Sequence, residues 1–394
     1  MTILFSASTL LTLISQTHLS SGDIKMSDHR TILLTPGPLT TSQKTRDAMG
    51  KDWGSRDSQF NSMMATIRQT LVKIIHGEES HVCIPLQGSG TFAVEAALGT
   101  FIPADGTVLT LINGAYGKRI AQICQIIGRK TIPLQSPESH PTCANEVEAL
   151  LDKHPEITHV TLVHCETSVG IINPLNDIAQ IVATKGRRLL VDAMSSFGAL
   201  PIDVRQAPCD AVIAASGKCL EGVPGMGFVL AHKATLLDCK NQAHSLVLDL
   251  YDQYCNMEAT GQWRFTPPTH VVAAFHEALA QFSEQGGQPQ RLARYEKNYQ
   301  TLARGLDKIG LKRYIPEEIQ SPVIVTFHAP RDPRYQFNEF YNRVREKGFV
   351  LYPGKLTKLE TFRVGCIGDV SPNEMQNAVD AIIDTFNEMG IREM

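Results

Sequence analysis

Two residues set the chemistry open to this chain. Leu189-Leu190-Val191 ends in Asp192, and Ala211-Val212-Ile213-Ala214-Ala215 runs into Ser216-Gly217-Lys218. In an alternating α/β chain, short apolar runs of this kind read as buried parallel strands. Ligands of such sheets bind at the carboxyl ends of the strands. A carboxylate and an amine are therefore delivered to one ligand edge. A lysine there can hold a carbonyl cofactor as a Schiff base, and a carboxylate can keep the cofactor's ring nitrogen protonated. Pyridoxal phosphate (PLP) needs both.

Other strand ends carry matching groups. Gln87-Gly88-Ser89-Gly90-Thr91 lies between an expected strand and an expected helix. Its glycines let the backbone approach an anion, and free N–H groups with the helix dipole attract phosphate. A plain helix cap is the alternative. GxxxxGK[ST] is absent, which excludes a P-loop. Gly88, Gly90 and Ala93 do fit GxGxxA, so a non-catalytic dinucleotide-binding protein is a rival reading. That fingerprint needs an acid about 20 residues on, and Asp105 falls instead in the turn Pro103-Ala104-Asp105-Gly106. Tyr116, in Asn113-Gly114-Ala115-Tyr116-Gly117, is placed to stack on a flat ring, or to be a half-buried loop tyrosine. Arg363, in Phe362-Arg363-Val364-Gly365, presents a planar fork that fits a carboxylate or phosphonate; a structural ion pair is its alternative. His164 reads as a structural histidine, Cys219 as a packing residue. No pattern of His, Cys, Asp and Glu makes a metal set.

The elements that must position these groups alternate. Strands are expected at 82–86, 107–112, 131–134, 159–164, 189–192, 211–215 and 227–231, with helices at 92–100, 118–127, 145–153 and 177–184. Such alternation predicts a mostly parallel sheet covered on both faces. Residues 255–270 break the rhythm at Gly261 and Pro267-Pro268. A helical stretch over 271–307 follows, interrupted near Gly286-Gly287. Strands at 323–326 and 361–365 with helices at 337–347 and 373–388 predict a smaller C-terminal α+β domain. The expected organisation is an N-terminal arm at 26–45, a large domain at 46–275 and a small domain at 276–394.

The chain has 394 residues, 43% hydrophobic and 20% charged, with a formal charge of −3. No basic block speaks for nucleic acid, and no apolar run reaches the roughly 20 residues of a membrane span. Nine cysteines, odd in number and without CxxC, read as free thiols in a reducing, cytoplasmic compartment. Residues 1–25 are apolar and Ser/Thr-rich without the positive start of a secretory signal. They read as an extension that is disordered or precedes the native start, with Met26 opening Ser27-Asp28-His29-Arg30.

At this point the chain resembles the fold-type I PLP enzymes of the class V aminotransferase group. Leu33-Leu34-Thr35-Pro36-Gly37-Pro38, Trp53-Gly54-Ser55-Arg56-Asp57, Gln87 to Thr91, Val191 to Gly198 and Ala215 to Gly225 carry the likeness. Within the group it most resembles enzymes that move the amino group of 2-aminoethylphosphonate to pyruvate. An alanine or serine:glyoxylate aminotransferase on the same scaffold is the alternative. The resemblance implies PLP held by Lys218, with Asp192 on its ring nitrogen. It implies Ser89, Gly90 and Thr91 on the phosphate, Tyr116 against the ring and Thr167 near the ring hydroxyl. Where related enzymes carry a side-chain donor before the lysine, this chain has Gly217, which makes Ser216 the expected replacement. Thr266 would reach the phosphate of a neighbouring subunit's cofactor, implying a homodimer with shared sites. Arg363 would hold the acidic group of the substrate, with Arg56 and Arg264 as assistants for a phosphonate.

Overall fold

The computed structural model describes residues 30–354 and 359–394; the expected extension at 1–25 lies outside them. Seven strands form the central sheet. Their order is His81–Gly88, Gly225–His232, Ala211–Ala215, Arg188–Asp192, Ile157–Val163, Thr107–Ile112, Lys130–Gln135. Neighbours run parallel except Gly225–His232, which is antiparallel to both its partners. With helices on both faces, this is the α/β architecture expected of a fold-type I PLP transferase.

Alternate strand residues feed two cores. Leu109, Leu111, Val160, Leu162, Leu189 and Val191 pack on one side with Phe60, Ile67 and Leu71 of helix Ser58–Ile74 and Phe275 of helix Thr269–Glu284. Val108, Val163, Leu190 and Ile213 pack on the other side with Ala93 and Ala97 of helix Gly90–Phe101 and Ile120 of helix Ala115–Ile126. Because both faces are covered, the inner strands are mostly buried and apolar and read as runs, whereas the edge strand Lys130–Gln135 is largely exposed. Each fully buried Leu, Val or Phe side chain contributes about 1.5–3 kcal/mol.

A three-stranded antiparallel sheet orders Ile324–His328, Thr361–Gly365 and Tyr352–Pro353. It packs with helices Gly287–Asp307, Phe337–Glu346 and Pro372–Glu388 around Val325, Phe327, Phe340, Phe362 and Phe386. Helix Pro372–Glu388 starts on a reciprocal cap: Ser371 accepts from the Glu374 amide, and Glu374 accepts from the Ser371 amide. Ile32–Leu33 pairs in parallel with Phe349–Val350, and Ile32 and Leu34 join this same core. The segment expected as an N-terminal arm is thus anchored in the C-terminal body.

Some boundaries differ from expectation. Helix Leu250–Thr260 runs into the stretch expected to be irregular from residue 255, because Tyr254 and Met257 share its buried face. Gly261 ends it in the left-handed region at φ 67°, a conformation glycine adopts without steric cost. Helix Thr269–Glu284 buries Phe275, Leu279 and Phe282 in the large-sheet core, so that core extends past the domain boundary expected at 275. The next helix starts separately at Gly287, as the paired glycines implied. The strand expected to end at His164 ends at Val163. Helix Ser58–Ile74 was not foreseen. Among the described residues, no helix is long and apolar enough to cross a membrane.

Candidate active site

The loops that leave the carboxyl ends of the sheet enclose a cavity of about 260 Å³. Parallel strands make this convergence geometric: Val163 pairs with Asp192, and Asp192 with Ile213, so successive loops emerge side by side. Ser89, Gly90, Thr91, Tyr116, Asp192, Ser216 and Lys218 all line the cavity.

Lys218 is half-buried, and its Nζ donates to the Pro36 carbonyl at 2.7 Å. Burial lowers its pKa, while the nearby Asp192 carboxylate opposes the drop. Asp192 is buried at the end of its strand, and Oδ1 accepts the Met194 amide at 2.9 Å. Its other oxygen has no hydrogen-bond partner among the described residues. Burial pushes this carboxyl up to about 6, against the pull of the Met194 amide. A cation placed at that oxygen would restore the charged form.

Ser89 stands at the N-cap of helix Gly90–Phe101, yet its hydroxyl makes no cap bond. In the first turn the Phe92 amide bonds the Ser89 carbonyl at 3.0 Å, which leaves the Ser89 hydroxyl and the Gly90 and Thr91 amides as donors on residues that line the cavity. A Cβ at Gly90 would collide with Met194 Sδ, so the turn admits only glycine without rearrangement. Thr91 Oγ1 accepts from Arg119 at 3.3 Å, and the Arg119 guanidinium sits 5.1 Å from the centre of the Tyr116 ring. Tyr116 also hydrogen-bonds Thr167, whose hydroxyl lies 3.4 Å from Ser195.

Arg363 is fully buried in strand Thr361–Gly365. Nε donates to the Pro353 carbonyl at 3.0 Å and Nη1 to the Thr167 carbonyl at 2.7 Å, while Nη2 is buried without a partner. No carboxylate pairs with it among the described residues, so the structural ion pair is not formed. Arg363 is not among the residues that line the cavity, but its field reaches Lys218 and Tyr116, which are.

Other expected residues lie elsewhere or are engaged. Ser216 lines the cavity, and its hydroxyl donates to the Val223 carbonyl at 2.6 Å, so in this arrangement its proton is engaged away from an expected phosphate. Arg56 and Thr266 are exposed, and neither lines the cavity. Arg264 pairs with Asp252 at 3.1 Å and does not line it either. His164 is buried, and burial drops its pKa to about 4, which keeps it neutral. Cys219 donates to the Ser195 carbonyl at 3.3 Å, and burial pushes its thiol up to about 12. No metal-holding group of His, Cys, Asp and Glu exists among the described residues.

Two site residues escaped the sequence reading. Glu166 is fully buried and accepts from the amides of Tyr116 at 3.0 Å, Gly117 at 3.3 Å and Ser168 at 3.1 Å, and from the Ser168 hydroxyl at 2.6 Å. It thereby pins the Tyr116 loop. Arg119 lines the cavity one turn after Tyr116. The only sequence signal was their place just after a strand end. Taken together, the residues present fit PLP: an amine, an acid oxygen awaiting a partner, and a helix start with unspent donors.

Comparison with known proteins points the same way. The family model described as aminotransferase class-V matches residues 42–338. The chain is 62% identical over 369 residues to the 2-aminoethylphosphonate–pyruvate transaminase of Pseudomonas fluorescens Pf-5, covering 94% of this chain and all of the relative. It is 61% identical over 363 residues to the transaminase of the same name from Pseudomonas aeruginosa PAO1, covering 92% of this chain and 98% of the relative. Among solved structures, an alanine–glyoxylate aminotransferase from Nostoc sp. superposes with a TM-score of 0.84 at 23% identity, over 93% of this chain and 96% of that one. A pyridoxamine–pyruvate aminotransferase from Mesorhizobium loti does so with a TM-score of 0.84 at 23% identity, over 92% and 93%. At that identity the structures speak for the fold alone. By the match to its family model and by identity to its Pseudomonas relatives, the chain belongs to the class V aminotransferases.

Proposed function

We propose that this protein transfers the amino group of 2-aminoethylphosphonate to pyruvate, forming phosphonoacetaldehyde and L-alanine in phosphonate breakdown, with PLP as cofactor. Kinship over nearly the whole chain with Pseudomonas enzymes of that activity carries the choice of donor. Bound PLP supplies a ring that draws electron density from the substrate carbon bearing nitrogen.

The chain's own groups do the rest. Lys218 attaches the cofactor. Once the substrate amine has displaced it, its Nζ takes the proton from the nitrogen-bearing carbon and returns it on the other side of the transfer. The lowered pKa of this buried amine favours the neutral form a base requires. Asp192 holds the proton on the ring nitrogen through its unpaired oxygen. Ser89, Gly90 and Thr91 hold the phosphate, Tyr116 lies against the ring, and Thr167 sits by the ring hydroxyl. Arg363 Nη2 binds the anionic end of each substrate in turn. Its missing partner supports this role, since a buried guanidinium nitrogen without an acceptor is costly.

The working form is a cytoplasmic homodimer. Phe92, Leu246, Val247 and Phe265 are large apolar side chains left exposed on one chain, which supports a covering subunit. Thr266, beside Phe265, then reaches the partner's cofactor phosphate, and Arg264 and Arg56 assist the phosphonate. All nine cysteines are free thiols, in keeping with a reducing compartment.

The test is alanine formation from pyruvate and 2-aminoethylphosphonate on the PLP-loaded protein, run beside serine and other donors. Turnover with the phosphonate alone is expected. Turnover with amino acids only would overturn the donor and leave the aminotransferase scaffold standing.

A further inference from the structure

Behind the cavity, a buried charge cluster grips the loop that carries Lys218. Arg291, fully buried on helix Gly287–Asp307, donates to the Cys219 carbonyl at 2.6 Å. Tyr295 of the same helix donates to Glu221 at 2.6 Å and lies 3.2 Å from the Cys219 carbonyl. Glu221 pairs with Arg291 at 3.3 Å and also with Arg294. The Glu221 amide donates to the Lys218 carbonyl at 2.8 Å. Glu221 sits at φ 59°, a left-handed backbone that a non-glycine residue keeps only when its surroundings hold it there.

The same helix face reaches the strand end that follows Arg363. Tyr295 accepts the Gly368 amide at 3.4 Å, and Asn298 donates to the Cys366 and Val370 carbonyls at 3.1 and 3.0 Å. Buried ion pairs add little stability compared with apolar packing of equal volume. What these charges supply is direction: one helix fixes the Lys218 turn and the Arg363 strand in a single frame.

We propose that Glu221, with Arg291 and Tyr295, is a positioning device for Lys218, keeping the amine in register with the Arg363 strand. The inference rests on Lys218 being the base of the reaction proposed above. Glu221→Gln keeps the length and removes the charge. Tyr295→Phe removes only the linking hydroxyl, and it carries the test if the first variant fails to fold. Each is loaded with PLP and given L-alanine, protiated or deuterated at its α-carbon. The single-turnover rate is followed by the change in cofactor absorbance. A misplacement of the base on the order of 1 Å lowers the saturated rate roughly 10- to 100-fold. Half-saturation by alanine moves less than about threefold, and the deuterium isotope effect rises above the wild-type value as proton transfer becomes slower. A structural role alone would lower the melting temperature and leave rate and isotope effect per loaded site unchanged, and that result overturns the proposal. Lys218→Ala separates the two levels. If it still turns over, the base assignment falls and the device with it. If it is dead while the soluble variants match wild type, the device alone falls.

Discussion

Lys218 Nζ donates to the Pro36 carbonyl at 2.7 Å. An amine delivered by the large sheet is met by a residue that the small C-terminal body holds in place through Ile32–Leu33. Between them stands Gly37 at φ 113°, where a Cβ would lie 2.7 Å from Lys218 Cδ and 2.9 Å from Nζ. Gly37→Ala is expected to displace the lysine. Turnover should fall about tenfold or more, with slower growth of visible absorbance on adding PLP. A variant that loads and turns over like wild type would show that the contact imposes no constraint.

Arg363→Ala should impair both half-reactions, because both proposed substrates carry an anion. Losing a buried charge partner costs about 3–5 kcal/mol, which corresponds to roughly a hundredfold or more in kcat/KM. Separate measurement with 2-aminoethylphosphonate and with pyruvate checks it. A loss below about tenfold in either removes Arg363 from that half.

The pH dependence of the cofactor-free protein should report on Asp192. Burial raises its carboxyl from the ordinary 3.8 to about 6. The folded chain therefore binds this proton more tightly than the unfolded chain. The contribution of this one group to stability therefore falls as pH climbs from 3.8 through about 6, by about 3 kcal/mol, and is level above. Asp192→Asn has no such proton. The melting temperature of Asp192→Asn relative to wild type should rise across that window and then stay constant. A difference that does not change with pH would refute the raised value.

Ser216→Ala should separate stability from cofactor binding. Its hydroxyl proton goes to the Val223 carbonyl, so removal leaves a buried acceptor unpaired and costs about 1–3 kcal/mol. PLP affinity should change less than about threefold, since a hydroxyl without a free proton gives a phosphate little. Comparing melting temperature with the PLP dissociation constant decides it. A large loss of affinity at unchanged stability would return Ser216 to the phosphate site.

The sheet was legible in the sequence because its strands are buried on both faces: 107–112 and 211–215 matched to the residue. The acid and the amine were legible because a parallel sheet gathers its carboxyl ends. What escaped depends on distant contacts. Glu166 acquires its meaning from amides 50 residues away in sequence, at Tyr116, and no local pattern announces them. The spent proton of Ser216 is likewise invisible until the turn through Val223 closes. Arg264 beside Thr266 reads as a free cation in sequence, and Asp252 claims it in the fold.

The pairing of Ile32–Leu33 with Phe349–Val350 has a consequence for the order in which the protein is made. A chain emerging from the ribosome can bury most of its large-sheet core early. The strand that anchors the Pro36 segment has no partner until residues near the other end are synthesised. The lysine pocket is therefore closed by the first and last parts of the chain together, so a truncated product would fold much of its bulk and still lack a finished site.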